Sequence, residues 1–337
     1  MAKRIRHILV ALGDVGRAPS GELRKAGALA RAAGASIELF HALAEPSPKS
    51  GHGVEKARVA AETKSRNRLE RFARAAPLRG LRVKCTTVWD YPAHEAIVRR
   101  ALTSGADLVI AATHPHRLGG RLLLRNTDWE LIRHCPTAVL LVKSNRQYRK
   151  PTVLAAVDPF HAHARPADLD PRLLAMGNTF AQLLHGTLHA FHAYMPLIGV
   201  APLAVTAAPF IVLPPEAEQA HGRVIARAID QLAEATGVPP ACRHVHMGDV
   251  TGQLTATVKR TRASLVVMGA VSRSALARLL IGNTAERVLD KLSCDVVIVK
   301  PRGFKSRVAR RRQPVTATSA PNPTPSAVGR ATLPPLF

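Results

Sequence analysis

The chain reads as an α/β protein built from two tandem, doubly wound, five-stranded parallel-sheet domains, and three observations carry that reading. Short continuous apolar runs, such as LVVMG at 265–269 and VVIVK at 296–300, suit strands buried on both faces. These runs alternate with longer stretches of helical periodicity, which predicts parallel strands joined by crossover helices. The chain also repeats itself: residues 106–143 align without a gap on 263–300, at an offset of 157.

The repeat extends beyond that block. Arg121, Leu122, Leu123, Asn126, Thr127 and Lys143 recur as Arg278, Leu279, Leu280, Asn283, Thr284 and Lys300. Phe40-His41-Ala42 matches Phe191-His192-Ala193, and ILVAL at 8–12 matches VLAAV at 153–157. Three blocks in one order indicate duplication of a whole module. In copy one the patterns predict strands near 5–12, 35–42, 81–88, 106–112 and 138–143, with helices near 20–34, 52–76, 92–104 and 127–134. In copy two they predict strands near 152–157, 187–193, 241–247, 264–269 and 295–300, with helices near 171–185, 216–237, 250–262 and 284–292. The expected organisation is domain one at 1–143, a linker at 144–150, domain two at 151–301 and a tail at 302–337.

Bulk composition narrows the function classes. The 337 residues carry a net charge of +25, which attracts anions without choosing among them. Part of that excess is local, with six basic residues and no acids from Arg302 to Arg312. Beyond it the tail is rich in Pro, Ser, Thr and Ala, a disordered composition. Nucleic acid or another anionic partner on this basic tail is one expectation; no helix-turn-helix, RNP or zinc-finger signature supports a DNA-binding module. Cys85, Cys135, Cys242 and Cys294 form no CxxC pair, which fits a reducing cytoplasmic setting and structural thiols. Residues 195–215 carry no charge, but prolines at 196, 202, 209, 214 and 215 break any spanning helix, so an apolar loop over domain two is expected. The histidines of HPH (114–116) and FHAHA (160–164) lack a third ligand at metal spacing, so no metal site is nominated. No Ser-His-Asp, Cys-His or paired-carboxylate pattern nominates a catalytic residue.

The chemistry concentrates in copy two. Gly269 ends the fourth strand, and Gly282-Asn283-Thr284 opens a helix thirteen residues later. A small residue admits close phosphate approach, and a helix start supplies free N–H donors and partial positive charge. Arg273 and Arg278 in the loop can neutralise an anion. The stretch Gly269-Ala-Val-Ser272-x9-Gly282-Asn283-Thr284 resembles the signature of universal stress proteins, Gly-x-x-Gly-x9-Gly-Ser/Thr. Ser272 stands where the pattern has its second glycine, and Asn283 where it has a hydroxyl residue. The run 269–301 and the run 127–143 are similar to the tandem, UspE-like members, and the resemblance covers residues 1 to about 301.

That resemblance implies an adenine-nucleotide alpha hydrolase-like fold with strand order 3-2-1-4-5 in each copy. It implies ATP as ligand of domain two, with Asp158 contacting the nucleoside and Ala193 beside the base. Met268 and Gly269 would flank ribose and phosphates, and Ser272, Arg273, Gly282, Asn283 and Thr284 would line the phosphate loop. Copy one departs further: Gly13 stands at the place of Asp158 with Asp14 next to it, and Arg125 at the place of Gly282. It is expected to be a degenerate site that pairs with copy two as a pseudo-dimer across the last strands; a homodimer of the whole chain is also compatible. The function implied is a cytoplasmic stress-response protein that binds a small ligand and acts through conformation or partners. A weak ATPase or adenylyl transferase, and an apolar or lipid-ligand binder, are the alternatives.

Overall fold

Strands with apolar side chains on both faces need cover on both sides, and the molecule provides it with helices. A computed structural model of the chain describes residues 4–16, 20–43, 54–113, 116–118, 121–123, 126–160, 168–196, 199–200, 210–211, 214–269 and 283–310. In copy one, β1 (His7–Ala11), β2 (Ser36–Leu43), β3 (Val83–Trp89) and β4 (Leu108–Ala112) precede a small antiparallel pair, β5 (His116–Leu118) and β6 (Arg121–Leu123), and then β7 (Ala138–Val142). In copy two, β8 (Thr152–Ala156) and β9 (Thr187–Tyr194) precede a second antiparallel pair, β10 (Gly199–Val200) and β11 (Phe210–Ile211), followed by β12 (Arg243–Met247), β13 (Leu265–Gly269) and β14 (Asp295–Val299). The helices are α1 (Ser20–Ala33), α2 (Val54–Ala73), α3 (Ala93–Ser104), α4 (Asn126–His134), α5 (Leu169–Leu183), α6 (Pro215–Glu234), α7 (Val250–Thr261) and α8 (Asn283–Lys291).

Ten strands form one sheet in the order β12-β9-β8-β13-β14-β7-β4-β1-β2-β3. Counted within each copy, both halves have the order 3-2-1-4-5. Every neighbouring pair is parallel except β14 and β7, where the copies meet. Alternation along each strand sorts its side chains between two cores. Ile8 and Val10 face the side covered by α1, α2, α5 and α6; Leu9 and Ala11 face the side covered by α3, α4, α7 and α8. Each core runs through both copies without a break.

The seam has a register that follows from the duplication. Val296 pairs with Leu141, Val297 with Leu140 and Ile298 with Val139. Adding the repeat offset of 157 to Leu140 gives Val297, so the ladder is centred on a residue paired with its own copy. Val296 and Ile298 are likewise the counterparts of Val139 and Leu141, so each strand meets a version of itself in an isologous, two-fold arrangement.

A polar lock sits beside this ladder. Asp295, fully buried, accepts the backbone N–H groups of Lys143 at 2.9 Å and Ser144 at 3.0 Å on one carboxylate oxygen. Its other oxygen accepts the Tyr148 hydroxyl at 2.6 Å and the ammonium of Lys25, itself buried on α1. Burial, and then the neighbouring carboxylate, push the Tyr148 phenol well above its ordinary value, so it remains a donor. Lys143 Nζ donates to the carbonyls of Leu289 and Leu292 at the end of α8. The stretch after β7 is therefore tied to the seam at Lys143, Ser144 and Tyr148. The four cysteines are free, and burial drives the thiols of Cys135 and Cys294 up to about 12, which keeps them protonated and inert.

The apolar 195–215 segment contributes β10 and β11; its residues 197–198, 201–209 and 212–213 lie outside the described residues, as do 311–337 of the tail. Among the described residues no helix is long and apolar enough to cross a membrane. The start of the tail packs: Val308 joins the core beneath α3, α4, α7 and α8, and Lys300 Nζ lies 4.7 Å from the Phe304 ring centroid.

Substituting Asp295→Ala leaves the Lys25 ammonium buried without its counter-ion. It is expected to lower the unfolding free energy by about 3 kcal/mol. Equilibrium urea denaturation reads this directly, and a loss below about 1 kcal/mol would mean that the lock adds little.

Candidate functional site

In a doubly wound sheet the helices leave a crevice at the carboxyl ends of the strands, where the chain turns in opposite directions from neighbouring strands. In copy two that point lies between β8, which pairs with β9 on one side, and β13 on the other. Continuing the register of Ala156 with Phe191 brings Asp158 level with Ala193. Continuing that of Val267 with Ala155 brings Met268 and Gly269 level with Ala156 and Val157. Four sequence-predicted residues from three strands thus meet at one edge of the sheet.

Asp158 is the unusual member. It is 6% exposed, and its backbone N–H donates to Asp170 Oδ2 at 3.0 Å. Its own Oδ1 is buried and lacks a hydrogen-bond partner among the described residues. A buried, unbonded carboxylate oxygen costs on the order of 1–3 kcal/mol or more. A carboxylate only accepts, so a group that satisfies it must bring an O–H or N–H.

The surroundings are fixed by packing. His192 Nδ1 donates to the carbonyl of Val157 at 2.9 Å, bracing the turn that carries Asp158. Copy one repeats the contact from His41 Nδ1 to Leu12 O at 2.7 Å. A carbonyl accepts only, so both rings carry their proton on Nδ1. Each histidine thus braces the turn that follows the first strand of its own copy. Gly269 has a packing reason of its own: a Cβ there would stand 2.7 Å from Leu169 Cδ2, at the start of α5. Ala193 and Met268 are buried against the α7–α8 side of the sheet.

Of the loop residues, Ser272, Arg273 and Gly282 lie outside the described residues, as does Arg278. Asn283 and Thr284 are the first two residues of α8, so a helix start stands where the spacing predicts one. In copy one the equivalent turn differs. Asp14 is exposed and its Oδ1 accepts the Gly16 N–H at 2.6 Å, so this carboxylate faces solvent and bonds to its own turn. Arg125 falls outside the described residues. Trp129 is half-buried against the core on the α3–α4 side.

Sequence reasoning missed a histidine cluster on the outer strands of copy two. His189 Nδ1 lies 2.9 Å from His244 Nε2 with the rings stacked, and His246 Nε2 accepts from Arg260 Nη2 at 2.8 Å. The signal was present: His244 and His246 stand two apart in a strand and so share a face. Burial, followed by the proximity of His189, Arg260 and His246, pushes His244 down to about 4. Among the described residues no group of three His, Cys, Asp or Glu side chains can hold a metal ion. Exposed Phe160, Met195 and Met247 follow or end three adjacent strands, β8, β9 and β12, and give that edge an apolar surface.

With this geometry in place, comparison with known proteins identifies the class. The chain belongs to the universal stress protein family, whose model matches residues 4–143 and again 152–300. Within that family it is similar to Universal stress protein E of Photorhabdus laumondii, 26% identical over 240 residues that span 69% of this chain and 74% of the relative. It is similarly related to Universal stress protein E of Escherichia coli K12, 27% identical over 238 residues, 68% of this chain and 72% of the relative. A crystal structure from Pseudomonas aeruginosa UCBPP-PA14 superimposes with a TM-score of 0.65 at 24% identity, covering 88% of this chain and 94% of the other. A universal stress protein from Archaeoglobus fulgidus DSM 4304 does so with a TM-score of 0.58 at 15% identity, covering 87% and 98%. These two likenesses establish the tandem fold.

The histidine cluster yields a pH prediction. His244 has a folded pKa of about 4, below its ordinary 6.5. The unfolded chain therefore binds that proton first, and stability falls as pH drops from 6.5 towards 4. His244→Phe should make the fall in melting temperature between pH 7 and pH 5 shallower. Thermal melts at several pH values check it; an unchanged slope would count against the assignment.

Proposed function

We propose that this stress-response protein binds an adenine nucleotide, ATP, in the crevice of copy two, and acts through the conformation or partners of the bound form. The observation that carries the reading is the buried Oδ1 of Asp158, two residues past β8, which has no hydrogen-bond partner among the described residues. A ribose hydroxyl is a donor of the kind it lacks. Gly269 close by and the α8 start at Asn283 and Thr284 support phosphates lying on the other side of the same crevice. Exposed Phe160, Met195 and Met247 are consistent with a base resting on the rim.

In this reading Ala193 lies by the base and Met268 by the ribose, while Ser272, Arg273 and Gly282 complete the phosphate loop. Copy one lends its sheet to the pairing and binds no nucleotide, because its carboxylate is turned into a local hydrogen bond. The chain divides into domains at 1–143 and 151–301, the linker at 144–150 between them and the tail from 302.

Isothermal titration calorimetry with Mg-ATP tests this. Asp158→Asn keeps the shape and removes an anionic acceptor, and should weaken binding at least about tenfold. Gly282→Arg should abolish binding by filling the phosphate turn. Equal affinity in Asp158→Asn, or no saturable binding by the unmodified chain, would overturn the proposal. Rapid Mg-ATP turnover lost in Gly282→Arg would instead favour the enzymatic alternative.

A further inference from the structure

The antiparallel seam creates a second concave surface, far from the nucleotide crevice. A groove of about 900 Å³ opens where the linker after β7 passes the end of α7 and the segments that lead into β13 and β14. Ser264 precedes β13 and Cys294 precedes β14, so the groove lies at the amino ends of strands whose carboxyl ends carry the crevice. Five residues of strand separate the two by roughly 17 Å.

Its lining is one-sided in charge. Lys25, Lys143, Arg146, Lys259 and Arg262 contribute to it, and among the described residues no Asp or Glu does. Two of these cations are engaged, Lys25 by Asp295 and Lys143 by the carbonyls at the end of α8. Arg146, Lys259 and Arg262 have no acidic partner among the described residues.

A cation at a helix C-terminus often does no more than oppose the helix dipole. That accounts poorly for this group. The end of α7 is already capped, with Arg262 N–H on Val258 O and Lys259 O and Ala263 N–H on Val258 O. Arg146 belongs to the linker and not to the helix. The duplication supplies an internal control as well. At the offset of 157, Lys259 corresponds to Leu102, Arg262 to Gly105 and Arg146 to Gly303. Gly105 caps α3 at φ 66° as Arg262 caps α7 at φ 52°, a left-handed conformation that glycine adopts without strain and arginine does not. The seam therefore forms from the other copy's residues without these three cations, and their presence on one side alone needs a different reason.

We propose that this seam groove binds a small oligophosphate, a ligand with two or more linked phosphate groups, held by Arg146, Lys259 and Arg262. Its volume falls within the range of small-molecule sites, and the three cations come from two chain segments, the stretch after β7 and the end of α7. Guanidinium groups suit phosphate oxygens because they donate two parallel hydrogen bonds. The site is independent of the nucleotide crevice. A ligand there would contact the linker and copy two together, and so would report on or reinforce the docking of the two halves.

The test uses the full chain carrying Gly282→Arg, so that the phosphate loop of the crevice is blocked, and inorganic tripolyphosphate as probe in calorimetry. Saturable one-to-one binding is expected. The K259L/R262G double variant, whose new residues are those of copy one, should bind about tenfold more weakly or worse, with a melting temperature no lower than before, since glycine relieves the left-handed strain at 262. If that variant is destabilised, Arg146→Ala on the exposed linker reads the same loss. Three results overturn the proposal: no saturable binding of tripolyphosphate, unaltered affinity in both variants, or binding confined to duplex DNA with a stoichiometry that grows with its length. The last would assign these cations to a nucleic-acid surface.

Discussion

The antiparallel ladder between β7 and β14 is the contact on which the rest of the architecture turns. Each strand is the last of its own five-stranded sheet and would otherwise present a row of unpaired backbone groups. Pairing them converts two open edges into the interior of one ten-stranded sheet and lets both cores run continuously across the junction. Because the register is centred on Leu140 and Val297, which occupy the same position in the two copies, the duplication itself supplies the complementarity. No new surface had to arise for the halves to dock. The antiparallel sense also sends the carboxyl ends of the two parallel sets to opposite edges, so the two crevices cannot merge into one site.

On that symmetric scaffold the copies have diverged in ways that separate structural work from ligand work. Asp295 has Ala138 as its counterpart, so only one side of the seam carries the buried lock that holds the linker. In copy two the carboxylate after the first strand is buried, with one oxygen unbonded among the described residues, whereas in copy one it has moved by one residue and bonds to its own turn. The histidine braces His41 and His192, by contrast, are kept in both. The histidine braces are thus shared, whereas the seam lock and the buried carboxylate belong to copy two alone.

Much of the fold was legible because the signals are local. Strand patterns alternating with helical periodicity predict the ten strands of the sheet, and a gapless repeat predicts that the halves share a topology. The candidate residues Asp158, Ala193, Met268 and Gly269 were found from spacing and resemblance, and the register brings them to one sheet edge. Other features rest on contacts between distant residues. Lys25 and Asp295 are 270 positions apart, and no periodicity links them. The stacking of His189 on His244 requires the parallel pairing of β9 with β12. Gly269 shows a different limit: its position at the strand end was read as room for a phosphate, and Leu169 supplies a packing reason that sequence spacing does not reveal.

Hydrogen exchange of the native chain, followed residue by residue along the sheet, tests the seam most directly. If β7 and β14 are interior strands of one sheet, the amides at 139–141 and 296–298 exchange as slowly as those of β1 and β8, through opening of a whole half. Fast exchange confined to those two strands, with the rest of each copy protected, would contradict the account, since it would describe two separate modules with open edges.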